Sequence, residues 1–219
     1  MLEFLAPIAL AAATTPDGTR LKEGDACYAF SAGDQPLGFT WQSVRAAKDG
    51  DIPVWEITVR QIMAYKSFDM RDVFVLRRSD LRPIRMTSFR SGEEQVRVLY
   101  SAGQVETIRP GTASMVEPLP GPVWDGNLWG LAFAALPLAE GAHFELPYFH
   151  YDKGFGHFTL DVVGSEDVAG RAAWVVEADS GSGGKARYLI AKDAAEELGY
   201  SGGPIMQKPG GDCSALAGE

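Results

Sequence analysis

Apolar and polar residues alternate with a period of two along much of this chain, the pattern of strands that bury one face and wet the other. The alternation is cleanest over 54–60, where Trp55, Ile57 and Val59 point one way and Glu56, Thr58 and Arg60 the other. From Cys27 onward this pattern predicts successive strands, including 37–46, 54–60, 67–78, 83–91, 95–101 and 104–109. Between them lie Gly33-Asp34, Lys48-Asp49-Gly50-Asp51, Ser79-Asp80, Gly92-Glu93 and Ala102-Gly103. Gly and Asp tolerate the positive φ of tight hairpins, so the segment reads as an antiparallel meander. Four prolines between residues 110 and 122 end it, because proline cannot donate to a sheet ladder. Strands resume over 143–151, 155–163, 171–178 and 186–191, with turns at Asp152-Lys153-Gly154, 164–170 and 180–184.

Between the two meanders the period changes. Leu128, Leu131, Ala132, Ala135 and Leu136 make an apolar stripe, which predicts a helix over 126–136 capped by Asp125 and stopped by Pro137. Trp124, Trp129 and Phe133 surround the stripe, so the helix is expected to be buried against the sheet. The fold class expected is mainly β: a curved antiparallel sheet, or half-open barrel, wrapping one short apolar helix. A β-sandwich is the competing arrangement. Helical segments do not alternate with strands, which argues against a parallel α/β fold. The single β-rich domain is placed at 25–198, with a helical turn at 193–198 and a poorly ordered Gly/Pro-rich tail at 199–219.

Residues 1–13 are an apolar run ending in small residues, and residues 1–24 read either as the remnant of an export signal or as an N-terminal arm. Glu3 is the only charge before Asp17, so a basic leader region is missing. No stretch is apolar for eighteen residues, so no transmembrane segment is predicted. Export is the expected localisation, to the periplasm or beyond. The chain of 219 residues carries 29 acidic and 20 basic side chains, a net charge of −9, which repels nucleic acid over most of the surface. Cys27 and Cys213 are the only cysteines. In an oxidising compartment they form one bond closing nearly the whole domain, worth roughly 4–5 kcal/mol in the chain-entropy picture, and otherwise they are two free thiols.

Candidate chemistry is sparse, and neither a catalytic set nor a cofactor is assigned. His143, His150 and His157 recur every seven residues, but Pro147, Gly154 and Gly156 rule out a common helical face. Across a hairpin, His150 and His157 with Asp152 or Asp161 are weak candidates for a zinc site, and ordinary cross-strand polar positions account for the same residues. The pentapeptide Gly-x-Ser-x-Gly of a nucleophile elbow is absent. The Ser180-Gly181-Ser182-Gly183-Gly184 run lacks a phosphate-loop ending and reads as a hairpin loop. Asp72 shares a strand face with Phe68, Met70, Phe74 and Leu76. A carboxylate there is buried and needs a partner, for which Arg45, Arg60 and Arg97 are the candidates. The aromatic supply exceeds what a small core needs, so Trp41, Trp55, Phe68, Phe74, Trp129 and Phe133, with Asp72, are the candidate lining of a cleft.

The order of parts resembles a family of exported bacterial proteins of unknown function related to the lipoprotein-localisation factors of the LolA/LolB type. The likeness spans 27–190. It rests on Tyr28 with Gln35-Pro36-Leu37-Gly38, on Phe74 with Asp80-Leu81-Arg82-Pro83, and on Tyr100 with Gly103. Its most specific part is Asp125, Leu136-Pro137-Leu138, Gly141, Phe144, Leu146-Pro147 and Val162-Val163-Gly164. The resemblance implies an open antiparallel barrel in the periplasm with a concave apolar face near the helix, and no established chemistry. The chain departs from the pattern at 193–198, which looks more helical than a final strand.

Three functions are compatible with these features. The first is a non-enzymatic binding or chaperone-like protein for an apolar small molecule, lipid or acyl chain. The second is a scaffold with a packed interior that recruits another envelope protein. The third is a metal-dependent hydrolase at His150, Asp152 and His157.

Overall fold

The computed structural model describes residues 15–63, 68–181, 184–214 and 216. The apolar run at 1–13 therefore lies outside the described residues, as do Ser67, Ser182 and Gly183. The first meander comprises β1 (Gly24–Ala32), β2 (Gln35–Asp49), β3 (Ile52–Met63), β4 (Phe68–Arg77), β5 (Pro83–Arg90), β6 (Glu93–Ser101), β7 (Gln104–Ile108) and β8 (Met115–Pro118). The second part comprises β9 (Trp124–Asp125), the helix α1 (Gly130–Ala134), β10 (His143–His150), β11 (Gly154–Val168), β12 (Arg171–Asp179), β13 (Lys185–Ala191), β14 (Glu197–Gly202) and β15 (Ile205–Pro209). All fifteen strands belong to one sheet, running from β8 back to β1, across to β15, and back from there to β9.

The sheet is curved and does not close. Its two edges, β8 and β9, are neighbours in the chain, joined by residues 119–123. Side chains bridge this seam: the Tyr100 hydroxyl donates to Asp125 Oδ2 at 2.9 Å, and Trp124 Nε1 donates to the Asp80 carbonyl at 2.9 Å. Arg109 reaches Asp152 Oδ1 at 2.6 Å and lies over the Tyr151 ring. The concave face holds the core, with Trp55, Ile57, Phe74, Met86, Leu146, Phe149, Leu160 and Ile190 almost completely buried around α1. At one end Leu21 is buried, and a 3-10 turn at Gly18–Arg20 plugs the opening. There Trp55 Nε1 donates to the Gly18 carbonyl at 2.8 Å, and the Asp17 N–H donates to the Ala135 carbonyl at 2.9 Å.

Three local expectations are corrected. The helix expected over 126–136 is cut to Gly130–Ala134, because Trp124 and Asp125 are drawn into a parallel ladder with Tyr148 and Phe149 of β10. Asp125 does not cap α1: its Oδ1 accepts from the Asn127 N–H at 2.9 Å in a turn ahead of the helix, and Trp129 occupies the cap position without a side-chain bond. The 193–198 segment forms no helical turn. Arg171 binds Asp193 at 2.9 Å and Glu196 at 2.8 Å, and Glu197 and Leu198 open β14.

The supposed tail carries the rest of β14 and all of β15, a hairpin turning through Gly203 at φ 55°. β15 pairs with β1 from Tyr28↔Pro209 to Ala32↔Ile205. Just beyond it Cys213 is bonded to Cys27, with Cα atoms 5.8 Å apart.

Candidate functional site

Two places concentrate buried polar chemistry. The first lies on β4 and β5, under the seam. Asp72 is buried on the concave face beside Phe74, accepts from the Ser88 hydroxyl at 2.5 Å and meets Arg90 Nη1 at 3.5 Å. Arg90 also donates to Ser88 Oγ at 2.9 Å and lies over the Phe68 ring. Its partner is thus Arg90. The arginines expected from the sequence are engaged elsewhere: Arg45 with Asp25, Arg60 with Asp69, and Arg97 with Glu94. Burial raises the Asp72 pKa, opposed by the Ser88 hydrogen bond and the Arg90 charge. Asp125 stands nearby, held by Tyr100 and by both nitrogens of Asn127; burial pushes it up to about 6 against these donors. This cluster is largely satisfied internally and ties the seam.

The second place is a partly open cavity of about 390 Å³ on the concave face. It receives residues from β1 to β3, from β10 to β15 and from the turn ahead of α1, and it reaches the hairpins at Lys153 and at Ser180. One wall is aromatic. The Trp129 and Phe158 rings stand edge to face at 3.8 Å, Tyr148 packs on both, and Tyr188 contacts Tyr200 at 5.0 Å. Another stretch of wall is polar, with Thr40, Gln42, Gln61 and Gln207 beside Phe30 and Val59; Gln61 Nε2 donates to Thr40 Oγ1 at 3.2 Å.

Glu197 sits in this cavity with only 8% of its surface exposed. Gln207 Nε2 donates to its Oε1 at 3.1 Å, the one hydrogen bond to this carboxyl among the described residues. The other oxygen lies against the backbone of Gly130, where any added Cβ would overlap it. Gly130 is therefore needed for close approach. Burial lifts the Glu197 pKa to about 8, with the Gln207 hydrogen bond the sole opposing influence. The Tyr28 hydroxyl donates to the Glu197 backbone carbonyl at 3.0 Å, which holds the start of β14 in place.

The candidate lining named from the sequence is scattered. Trp129 lines the cavity, and Phe133 packs behind it, fully buried. Trp55 and Phe74 belong to the packed core, and Phe68 with Asp72 belongs to the seam cluster. Trp41 alternates with Thr40 and Gln42 along β2, which puts it on the outer face, paired in register with Cys27. His150 and His157 do not converge. In the β10–β11 ladder His150 opposes Gly154 while His157 opposes Pro147, so His150 faces the cavity with Tyr148 and His157 faces outward. Asp152 is taken by Arg109, and its N–H donates to His150 Nδ1 at 3.1 Å. Among the described residues, no three His, Cys, Asp or Glu side chains cluster as metal ligands.

Glu197 and Gln207 were not found by sequence reasoning, because one sat in the supposed helical turn and the other in the supposed tail. The available signal was Gly202-Gly203, a hairpin turn flanked by Tyr200 and Gln207.

Residues 27–200 match a family model described as a protein of unknown function, DUF3108. Among solved structures the chain is similar to that of a β-barrel-like protein of domain of unknown function DUF1849 from Brucella abortus. That match has a TM-score of 0.55 and 11% identity, and covers 87% of this chain and 95% of the other. At such identity the likeness is one of fold. No curated protein matches the chain, and none of these comparisons links it to the lipoprotein-localisation factors.

Proposed function

Taking as premise that the chain belongs to the DUF3108 family, we propose that it is a non-enzymatic binding protein for a small amphiphile, such as a lipid or an acyl-chain compound. The observation that carries this reading is the cavity's division into an aromatic wall at Trp129, Tyr148 and Phe158 and a polar wall at Gln61, Gln207 and Glu197. Its volume falls in the range of about 300–1,000 Å³ common for small-molecule sites. Binding draws on burial of apolar area at roughly 25 cal/mol per Å², while the polar wall orients the head. The Cys27–Cys213 bond supports an oxidising, exported location. The sequence resemblance to LolA/LolB-type factors agrees with apolar cargo, and that kinship remains part of this proposal.

A second reading draws on β8, an edge strand with Met115 and Val116 exposed. Such an edge suits strand addition by another envelope protein.

The test is native mass spectrometry of protein purified from a bacterial host, joined to titration with a brominated acyl compound that quenches tryptophan. The expected result is a co-purified small molecule, and quenching that falls in the Trp129→Phe variant. Ligand-free protein whose fluorescence no acyl probe changes overturns the reading.

A further inference from the structure

We propose that the cavity selects an amphiphile with a cationic nitrogen head, a primary or substituted ammonium, which ion-pairs with Glu197 beside the aromatic side chains of the cavity. This rests on the binding function proposed above and specifies its ligand.

The carboxyl is buried in the cavity with one amide donor, and no lysine or arginine figures among the influences on it. Burial keeps an unliganded carboxyl so placed neutral, and it ionises there only when a ligand brings a counter-charge. The surfaces around the cavity suit a cation. Trp129, Tyr148, Phe158, Tyr188 and Tyr200 line it, and ring faces attract ammonium groups. Gln61 has its amide nitrogen committed to Thr40, which leaves its carbonyl oxygen as an acceptor for an N–H donor. The net charge of −9 favours approach of cations. An anionic head brings no counter-charge for the carboxyl, and among the described residues no lysine or arginine hydrogen-bonds to it.

The charged and titratable groups facing this space are few. Tyr28 from β1, Tyr188 from β13 and Tyr200 from β14 stand around Glu197, and burial raises the pKa of each, so all three are neutral phenols. Glu196 and Arg171 are paired with each other. At the mouth, burial lowers the His150 pKa, and Lys153 is exposed to solvent on its turn. With burial holding the unliganded Glu197 carboxyl protonated below about pH 8, ammonium binding moves that proton to solvent as the ion pair forms.

The experiment is calorimetric titration of the intact protein with decylammonium and with decanol. It is run at pH 6.5 in two buffers of different ionisation enthalpy, and repeated on Glu197→Gln. Decylammonium is expected to bind about 10-fold more tightly than decanol and to release about one proton, and the variant is expected to lose both differences while still binding decanol. Equal affinities, or binding of the amine without proton release, overturn the inference and leave the binding function standing. Failure of both probes to bind overturns both. The proton count in the unmodified protein decides the matter if the variant does not fold.

Discussion

Asp125 and Glu197 are carboxyl groups sunk to similar depth and provided for in opposite ways. Asp125, at the seam, accepts from the Tyr100 hydroxyl and from two nitrogens of Asn127, and its pKa rises to about 6. Glu197, in the cavity, accepts from Gln207 alone among the described residues and rises to about 8. Donors to the ionised form offset burial, so the better-supplied carboxyl stays closer to its ordinary value. A carboxyl saturated by its own chain works as a clamp between strands. One left with spare capacity beside an open space is equipped to meet something from outside.

The largest loss of stability is expected at the clamp. Asp125→Ala leaves the Tyr100 hydroxyl and Asn127 without their buried partner, and is expected to cost about 3 kcal/mol. Urea unfolding followed by tryptophan fluorescence measures this, and a loss below about 1 kcal/mol would show that the seam holds without it. The next effect is one of pH. Both groups carry folded-state pKa values above their ordinary ones, so their stabilisation is complete below about pH 4. It is lost as pH rises, through about 6 for Asp125 and about 8 for Glu197. Glu197→Gln is therefore expected to remove a decline of about 2–3 kcal/mol between pH 6 and pH 8, read from urea midpoints at the two values. A variant that declines as steeply as the parent would place the titrating group elsewhere. The smallest effect sharpens the contrast: Tyr100→Phe removes one donor from Asp125, costs about 1 kcal/mol, and moves the lower limb of the same pH profile upward.

Legibility followed the range of the forces involved. The strands of the first meander could be read from their alternation because burial of one face acts residue by residue, as at Trp55 and Ile57. The inward direction of Asp72 followed from the same rule. Its partner did not, because the choice of Arg90 depends on the register that sets Asp72 opposite Ser88, and β4 and β5 carry an irregularity at Val75/Leu76. At 193–198 local preference pointed the wrong way. Alanine and glutamate favour helix, but Arg171 grips Asp193 and Glu196, and the ladder with β13 claims Glu197. The cavity was hidden for a related reason. It forms where β15 pairs with β1 and so brings the end of the chain beside its first strands, and Glu197, the residue that gives it chemical character, lies in the stretch where composition misleads.

The seam has a consequence for the order of the strands. Every hydrogen-bonded neighbour in the sheet is the next strand along the chain, the parallel β9–β10 pair included, except at the β1–β15 ladder beside the Cys27–Cys213 bond. Opening the chain at Gly121 and joining 15 to 216 would list the strands from one sheet edge to the other without a single jump. Apart from the parallel β9–β10 pair, the architecture is that of a circularly permuted up-and-down meander, and among the described residues its one ladder between strands distant in sequence lies beside the disulfide.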